Sequence, residues 1–279
     1  MKILNTTKSL FITLAPIALF TTVFNGVTLM LNDLYWMGLS MLLTAAPLLL
    51  FLGFILLFKS LARTGKHLWP VQLTSLTGFL LGLLTFNVEL MPLMVFVVSS
   101  YLITLLYVYW YSNNQRTISH ILYEGAHLPS FTLKNHLGNL IDSTDPNQHP
   151  MILMFTRGNW CPLCMAQIQE VAEAYKALNE IGVKVMIISS QKEQQTQKLA
   201  EKFNVPLNFL IDERQQLGRK LGILHENGLP FGFQILGHQN NQYYPTVIAT
   251  DDNGIIIYSD QTTNYRVRPE PDELIKLYQ

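Results

Sequence analysis

The first part of the chain consists of long uncharged stretches separated by short charged segments. Four such stretches run between these boundary residues: Lys8 to Asp33, Asp33 to Lys59, His67 to Glu89, and Glu89 to Arg116. Each stretch is about long enough to cross the ~30 Å hydrocarbon core of a bilayer as a helix. Runs such as residues 48–55 are apolar on every face, which argues against buried helices of a soluble domain. The pattern predicts a four-span transmembrane region over residues 1–111.

The basic residues predict how these spans are oriented. They are concentrated at the N-terminus and in the loop after the second stretch: Lys2, Lys8, Lys59, Arg63 and Lys66. Because cytoplasmic loops carry the excess of Lys and Arg, we expect both places to lie inside, and an even number of crossings returns the chain to the cytoplasm. The architecture indicates a multi-pass protein of a bacterial inner membrane. One miscounted span would instead move the second half of the chain to the oxidising side.

Composition limits what the membrane region does. The chain is 49% hydrophobic and only 14% charged, and its net charge of zero gives no reason to expect a nucleic-acid partner. The four uncharged stretches contain no Cys or His, so they lack the groups that an electron relay within the membrane needs. We therefore interpret them as an anchor or an interaction module, while a transport role stays open.

A short polar connector, predicted over residues 112–124, precedes a change of pattern. Over residues 125–279 short apolar runs alternate with segments of helical period, which predicts an α/β domain. The predicted strands are residues 131–133 and 140–141 around a Gly138–Asn139 turn, then 151–155, 183–188, 209–211, 246–249 and 255–258. The predicted helices are residues 161–181, 192–203, 214–221 and 270–278.

The chain has two cysteines, Cys161 and Cys164, which follow a predicted strand and begin a predicted helix. Pro162 suits a first helical position. A Cys-x-x-Cys pair at this junction can close a small disulfide, and unpaired N–H groups at the helix N-terminus favour the thiolate of the first sulfur. Half of a zinc site is disfavoured, because there is no second Cys pair and the histidines show no ligand spacing. A purely structural disulfide would be unusual in a cytoplasmic domain.

Several short motifs in the α/β domain resemble those of a known family. They are Arg157-Gly158-x-Trp160-Cys161-Pro162-x-Cys164, Gly125-x-x-Leu128-Pro129-x-Phe131-x-Leu133, Asp212-Glu213-x-x-x-Leu217-Gly218-x-x-Leu221-Gly222, and Tyr244-Pro245-Thr246 followed by Asp252-Asn253-Gly254. From about residue 125 to the C-terminus, the chain resembles the thioredoxin superfamily. Within it, the similarity is to the alkyl hydroperoxide reductase/thiol-specific antioxidant group of peroxiredoxin-like (redoxin) domains. The resemblance covers a little over half of the chain and implies a thioredoxin-like fold.

The resemblance also implies a redox reaction at the two cysteines. Cys161 would be the attacking thiol and Cys164 the resolving one, without a metal or another cofactor. In thiol–disulfide exchange Cys161 attacks a protein disulfide, and Cys164 breaks the mixed disulfide. In peroxidase chemistry Cys161 attacks a peroxide, and Cys164 resolves the sulfenic acid. A thiol reductant would restore the dithiol in the second case.

Two positions depart from the peroxidase pattern of this family. Peroxiredoxins place Thr or Ser three residues before the attacking cysteine, where this chain has Gly158, and Tyr244 stands where the family often carries an arginine. Arg157 is a candidate substitute for that arginine. The departures favour a membrane-anchored thiol-disulfide oxidoreductase, with a thiol-dependent peroxidase as the alternative. A further alternative is a membrane-tethered assembly factor without enzymatic turnover.

Five residues around the cysteines are expected to support them. Trp160 would cover the pair, and Pro162 would tune the thiolate by limiting the donors around it. Pro245, if cis, would set a backbone edge beside Cys161 for an extended substrate, with Thr246 following it as a strand residue. Simpler interpretations are core packing for Trp160, a solvated loop position for Arg157, and an ordinary trans bond before Pro245.

Overall fold

The chain forms two compact units. The computed structural model describes residues 2–203 and 205–279. The first unit comprises Met1–Thr6, Ser60–Arg63 and Asn114–Gln279, and the second comprises Thr7–Lys59 and Thr64–Asn113. The second unit is helical, and the first contains the β-sheets.

The N-terminal half of the chain is built from apolar helices. They are α1 (Lys2–Leu31), α2 (Tyr35–Phe58), α3 (Trp69–Leu84) and α4 (Met91–Leu105), the last extended by a π-helical segment, Leu106–Tyr111. Among the described residues, three helical segments are long and apolar enough to cross a membrane: Ile3–Leu31, Tyr35–Phe58 and Val88–Tyr111. The 16 residues of α3 span only about 24 Å at 1.5 Å per residue. The prediction of four spans is therefore not confirmed, because α3 is shorter than the ~30 Å hydrocarbon core.

Small and hydroxyl-bearing residues bring α2 and α3 close together. The Ser40 hydroxyl donates to the Gly78 carbonyl at 2.8 Å, and the Ser75 hydroxyl donates to the Thr44 carbonyl at 2.9 Å. A Cβ on Gly78 would lie only 2.5 Å from the backbone nitrogen of Thr44. Close backbone approach at small residues with interhelical hydrogen bonds is typical of helices that pack within a membrane.

The C-terminal part of the chain folds around a seven-stranded mixed sheet. Its strands are β1 (Thr132–Asn135), β2 (Leu140–Asp142), β3 (Met151–Thr156), β4 (Lys184–Ser189), β5 (Asn208–Ile211), β8 (Thr246–Thr250) and β9 (Ile256–Asp260), while β6 (Leu224–His225) and β7 (Gln242–Tyr243) form a separate pair. The strand order is β2-β1-β5-β4-β3-β8-β9. Strands β3, β4 and β5 run parallel, and β8 pairs antiparallel with β3.

The predicted elements are largely present, with three differences. The helices are α5 (Pro162–Glu173), α6 (Tyr175–Glu180), α7 (Glu193–Ala200), α8 (Gln216–Lys220) and α9 (Pro271–Lys276). The single helix predicted over residues 161–181 is therefore wrong. It divides at Ala174, whose ψ of −3° lies outside the α-helical range. The β6–β7 pair was not predicted, since two-residue strands carry no detectable period. The predicted helix over residues 192–203 ends earlier, at Ala200.

Strand β3 lies at the centre of the sheet and carries the chain to the cysteines. All six of its residues are buried. Leu153 and Phe155 pack in the main core with Ile188 of β4 and Ile248 of β8. A strand covered on both faces reads as a continuous apolar run, which is why the sequence signal for β3 was strong. The loop that follows it is thereby held at the edge of a rigid core.

Candidate active site

The two cysteines lie where β3 passes into α5. Cys161 is the N-cap residue of α5, Pro162 occupies the first turn as predicted, and Cys164 follows one turn along the helix. Both are free thiols. Both are also buried, with 1% of Cys161 and none of Cys164 exposed. The arrangement places two sulfurs at a helix N-terminus with almost no contact with solvent.

The loop between β3 and α5 has a conformation that requires glycine. Gly158 has a φ of +112°, in the left-handed region that L-residues rarely adopt. A Cβ at this position would lie 3.1 Å from Oε1 of Gln191, which accepts a hydrogen bond from the Asn159 N–H at 3.0 Å. The absence of a Thr or Ser three residues before Cys161 is thus a consequence of the local backbone.

A buried arginine that the sequence analysis did not single out lies beside both sulfurs. The Arg268 guanidinium places Nη1 at 3.4 Å and Nη2 at 3.5 Å from Sγ of Cys164, and Nη2 at 3.9 Å from Sγ of Cys161. Nη1 also donates to Gln167 Oε1 at 2.9 Å, and Nε donates to the Tyr265 carbonyl at 3.0 Å. These two neutral acceptors fix the plane of the guanidinium against the dithiol.

The surroundings shift the pKa values of the two thiols in opposite directions. Burial raises the pKa of the Cys161 thiol, and its hydrogen bond to the Cys164 sulfur raises it further. Burial also opposes ionisation of Cys164, but the hydrogen bond from Cys161 and the charge of Arg268 outweigh it, so the pKa of Cys164 is lowered. Arg268 lies closer to the Cys164 sulfur than to the Cys161 sulfur, so its charge favours ionisation of Cys164 more strongly. That the first sulfur holds the thiolate stays a prediction.

Arg157 is buried, so its interpretation as a solvated loop residue is wrong. Its guanidinium carbon lies 4.6 Å from the ring centroid of Trp160 and 5.6 Å from that of Tyr265. Nη2 donates to the Gly228 carbonyl at 2.7 Å. Its charge also lowers the pKa of Cys161, although less than burial raises it. Arg157 is therefore a second cation near the dithiol, held by two aromatic faces and one carbonyl.

Trp160 packs next to the cysteine loop rather than within the core. It is half-buried, and its ring meets that of Phe233 edge to face at 5.8 Å between centroids. Its indole Nε1 has no hydrogen-bond partner among the residues that the structure describes. The ring thus bridges Arg157 and the loop that carries Phe233. That Trp160 covers the dithiol stays a prediction.

The segment before β8 differs from the expected cis-proline arrangement. Among residues 2–203 and 205–279 the cis bond is His149–Pro150, so the bond before Pro245 is trans, and the cis expectation is wrong. The trans form is the ordinary preference of X–Pro bonds. Arg116 donates to the Pro245 carbonyl at 3.1 Å and to the Thr246 hydroxyl at 2.9 Å. Thr246 is a buried strand residue, as predicted, and pairs with Phe155.

Tyr244, which stands where the related family often carries an arginine, has an arginine against its ring. The guanidinium carbon of Arg116 lies 5.1 Å from the Tyr244 centroid, and the His225 ring stacks on Tyr244 at 4.4 Å. Arg116 belongs to the predicted connector, so its sequence position gave no sign of this role. Arg268 was missed for the same reason, since no motif links residue 268 to the cysteines.

Comparison with known proteins agrees with the motifs. The AhpC/TSA family matches residues 125–259. The chloroplastic peroxiredoxin Q of Gentiana triflora is 26% identical over 100 residues, covering 36% of this chain and 46% of that protein. Its counterpart from Populus jackii is 25% identical over 112 residues, covering 40% and 53% respectively. The chain thus spans about half the length of these relatives.

A solved structure also shows likeness to part of this chain. The crystal structure of peroxidoxin BcpB from Mycobacterium tuberculosis is 13% identical and superposes with a TM-score of 0.46, covering 58% of this chain and 97% of that one. The family match covers the strand that leads to Cys161, the dithiol helix and the β8–β9 hairpin. Residues 125–259 of this chain are an AhpC/TSA redoxin domain of the thioredoxin-like peroxiredoxin superfamily.

Proposed function

We propose that the chain is a membrane-tethered, thiol-dependent peroxidase that cycles between the Cys161–Cys164 dithiol and its disulfide. The observation that carries the proposal is the Arg268 guanidinium, which lies within 4 Å of both sulfurs in a buried site. Peroxidase chemistry calls for a cation near the attacking sulfur, and the sequence motifs did not identify Arg268 as one. The relatives named peroxiredoxin Q support the same activity.

The burial of the dithiol favours a small substrate. With 1% of Cys161 exposed, a protein disulfide reaches the sulfur only if the loop opens. A hydroperoxide needs a much smaller opening. The site is also positive, because Arg268 and Arg157 both lie near the sulfurs. That charge stabilises the thiolate before attack and the alkoxide that leaves after it.

The reaction balances with a thiol as the only co-reactant. The thiolate attacks the outer oxygen of the hydroperoxide, the O–O bond breaks, and the alkoxide takes up a proton to leave as alcohol. The attacking sulfur becomes a sulfenic acid. The second sulfur then attacks it, forming the disulfide and releasing water. A thiol reductant, itself oxidised to a disulfide, returns both cysteines to thiols by exchange.

We assign the attack to Cys161 and the resolving step to Cys164. Cys161 is the N-cap residue of α5, at the positive end of the helix dipole, which favours its thiolate. Transfer of the Cys161 proton to the neighbouring Cys164 sulfur would supply the attacking Cys161 thiolate. Arg157 and Trp160 would then hold and cover the sulfur, and Pro162 would limit the donors near it. Pro245 and Thr246 would support the site from β8.

Thiol–disulfide exchange is the second candidate. The observation in its favour is the spacing of the sulfurs, which places Cys164 one turn after Cys161, where it can resolve a mixed disulfide. In this case the substrate would be a protein disulfide, and the loop from Arg157 to Trp160 would have to move aside. An assembly factor without turnover is the remaining alternative.

We further propose that the uncharged stretch around α3 completes a fourth crossing, with residues 112–124 as connector to the redox domain at 125–279. Residues 68–88, between His67 and Glu89, carry no charge and exceed α3 in length. Four crossings place the redox domain in the cytoplasm of a bacterial cell, beside its inner membrane. A C-terminal fusion to green fluorescent protein should be fluorescent, whereas active alkaline phosphatase at the same position would indicate three crossings.

Stopped-flow Trp fluorescence of the full chain in detergent distinguishes the candidates. The reduced protein is mixed separately with hydrogen peroxide, with an alkyl hydroperoxide and with a protein disulfide. Fast oxidation by the peroxides that is lost in Cys161→Ser supports the peroxidase. Fast reaction with the protein disulfide alone would establish exchange. A Cys161→Ser variant that reacts with neither substrate yet complements a deletion strain fully would leave the assembly factor.

A further inference from the structure

A loop beside the dithiol exposes large apolar side chains. This apolar loop, residues 229–237, contains a short 3₁₀ helix, Phe233–Leu236, between two glycines of left-handed conformation, Gly232 and Gly237. The exposed fractions are 56% for Phe231, 90% for Ile235 and 66% for Leu236. Adjacent exposed side chains of this size mark an interaction surface in a folded domain.

The apolar loop lies in an unusually long uncharged segment. From Asn227 to Thr250 the sequence contains no Asp, Glu, Lys or Arg, although the rest of the domain is well supplied with charge. A surface for a charged peptide or nucleic acid would carry complementary charges. An uncharged rim of Gln and Asn around Phe, Ile and Leu fits the interfacial layer of a bilayer, which accepts apolar side chains beside polar ones.

The apolar loop is fixed to the dithiol loop. Phe233 contacts the Trp160 ring at 5.8 Å, and the Gly228 carbonyl accepts from Arg157 at 2.7 Å. The Leu229 N–H donates to the Asn240 carbonyl at 3.1 Å, which ties the two ends of the loop together. These contacts fix the buried part of the loop, while its tip stays exposed. A molecule that binds the tip therefore lies next to the residues that flank Cys161.

Glu226, three residues before the apolar loop, is hydrogen-bonded to a residue near the start of α1. Within the first unit, Asn5 Nδ2 donates to the Glu226 carbonyl at 2.7 Å. The same helix continues as an apolar segment to Leu31, long enough to cross a membrane. The segment that leads into the loop is thus hydrogen-bonded to Asn5, near the beginning of a candidate span.

From these observations we propose that the apolar loop inserts Phe231, Ile235 and Leu236 into the lipid interface of the membrane that anchors the chain. The inference rests on the membrane attachment in the proposed function, but not on the reaction. Insertion holds the loop that contacts Trp160 at the bilayer surface. The exposed side chains of the loop contact lipid, rather than a second copy of the chain or a protein partner.

The test is depth-dependent quenching in the full chain, reconstituted into phosphatidylcholine vesicles with or without bromine on the acyl chains. Ile235→Trp places a reporter at the tip of the apolar loop. Leu137→Trp is the matched control, since Leu137 is 72% exposed in the β1–β2 turn of the same domain. After subtraction of the parent chain's emission, we expect bromine to quench the added Trp at 235 at least twofold and the Trp at 137 hardly at all. Equal quenching at the two positions would overturn the proposal.

A second measurement separates lipid from protein as the occupant. In detergent-free vesicles, aqueous acrylamide should quench the fluorescence of the Trp at 235 less than that of the Trp at 137. This difference should not depend on the protein-to-lipid ratio. Protection that depends on that ratio, without bromine quenching, would show a second copy of the chain and refute lipid insertion. Peroxide reactivity of the same variants is recorded in parallel. Quenching in a chain without peroxidase activity refutes the proposed reaction alone, whereas activity without quenching refutes the insertion alone.

Discussion

Nη1 of Arg268 lies 3.4 Å from Sγ of Cys164, and both groups are buried. A buried guanidinium next to a thiol favours the thiolate, because a charge in a low-dielectric interior acts on its neighbours with little screening. The same cation reaches Cys161 at 3.9 Å. The charge of one arginine from the segment after β9 therefore acts to lower the pKa of both cysteines.

Replacing Arg268 by Met should raise the pKa at which the dithiol first ionises, because the opposite charge is lost. At neutral pH we expect alkylation by iodoacetamide and oxidation by peroxide to slow about tenfold, because less of the dithiol is ionised. The pH profile of alkylation measures the shift directly. Arg214→Met, at an exposed position, is the matched control. An unchanged profile for Arg268→Met would remove Arg268 from the mechanism.

The two single-cysteine variants should behave differently. In Cys164→Ser we expect peroxide to produce a stable sulfenic acid on Cys161, detectable by mass spectrometry as a dimedone adduct, since no resolving sulfur remains. In Cys161→Ser we expect no adduct at early times. The reverse pattern would show that Cys164, whose pKa is lowered in the resting site, is itself the attacking thiol. The roles of the two cysteines would then be exchanged.

The sequence predicted those parts of the site that are close together along the chain. Cys161, Pro162 and Cys164 belong to one strand–helix junction, and local rules place a proline and an N-cap at such a position. Strand β3 was recognisable because both of its faces are buried. Gly158 was read as a departure from a family pattern, but the structure shows a backbone conformation that calls for glycine.

The parts that come from distant segments were not predictable. Arg268 is separated from Cys164 by 104 positions, and Arg116 from Pro245 by 129. Hydrophobic periodicity reports which face of an element is buried, but not which distant side chain enters the same site. The length of α3 was misjudged for another reason, because an uncharged stretch between His67 and Glu89 contains non-helical ends.

Introducing the family's Thr at position 158 should damage the site rather than improve it. At a φ of +112° a β-branched residue is strained, and its Cβ would lie 3.1 Å from Oε1 of Gln191. We expect Gly158→Thr to destabilise the domain by about 1–3 kcal/mol and to slow peroxide oxidation. Gly65→Ala is the control, since its Cβ would meet no atom within 4 Å. Chemical denaturation followed by Trp fluorescence gives the difference. A more reactive Gly158→Thr variant would contradict the geometric explanation of this glycine.

Asp260, at the end of β9, should make stability depend on pH. Burial raises its pKa from 3.8 to about 6, although Arg116 and Arg268 oppose the shift. The folded state therefore holds the Asp260 proton more tightly than the unfolded state does. The resulting contribution to the free energy of unfolding is fully present below about pH 4 and is lost as pH rises through about 6. Asp260→Asn should gain about 2 kcal/mol over the parent chain between about pH 4 and pH 7, because one pKa unit corresponds to about 1.4 kcal/mol. Denaturant unfolding at these two pH values measures the gain in free energy of unfolding, with Asp252→Asn at an exposed position as control. A difference between Asp260→Asn and the parent chain that does not change with pH would contradict the raised pKa of Asp260.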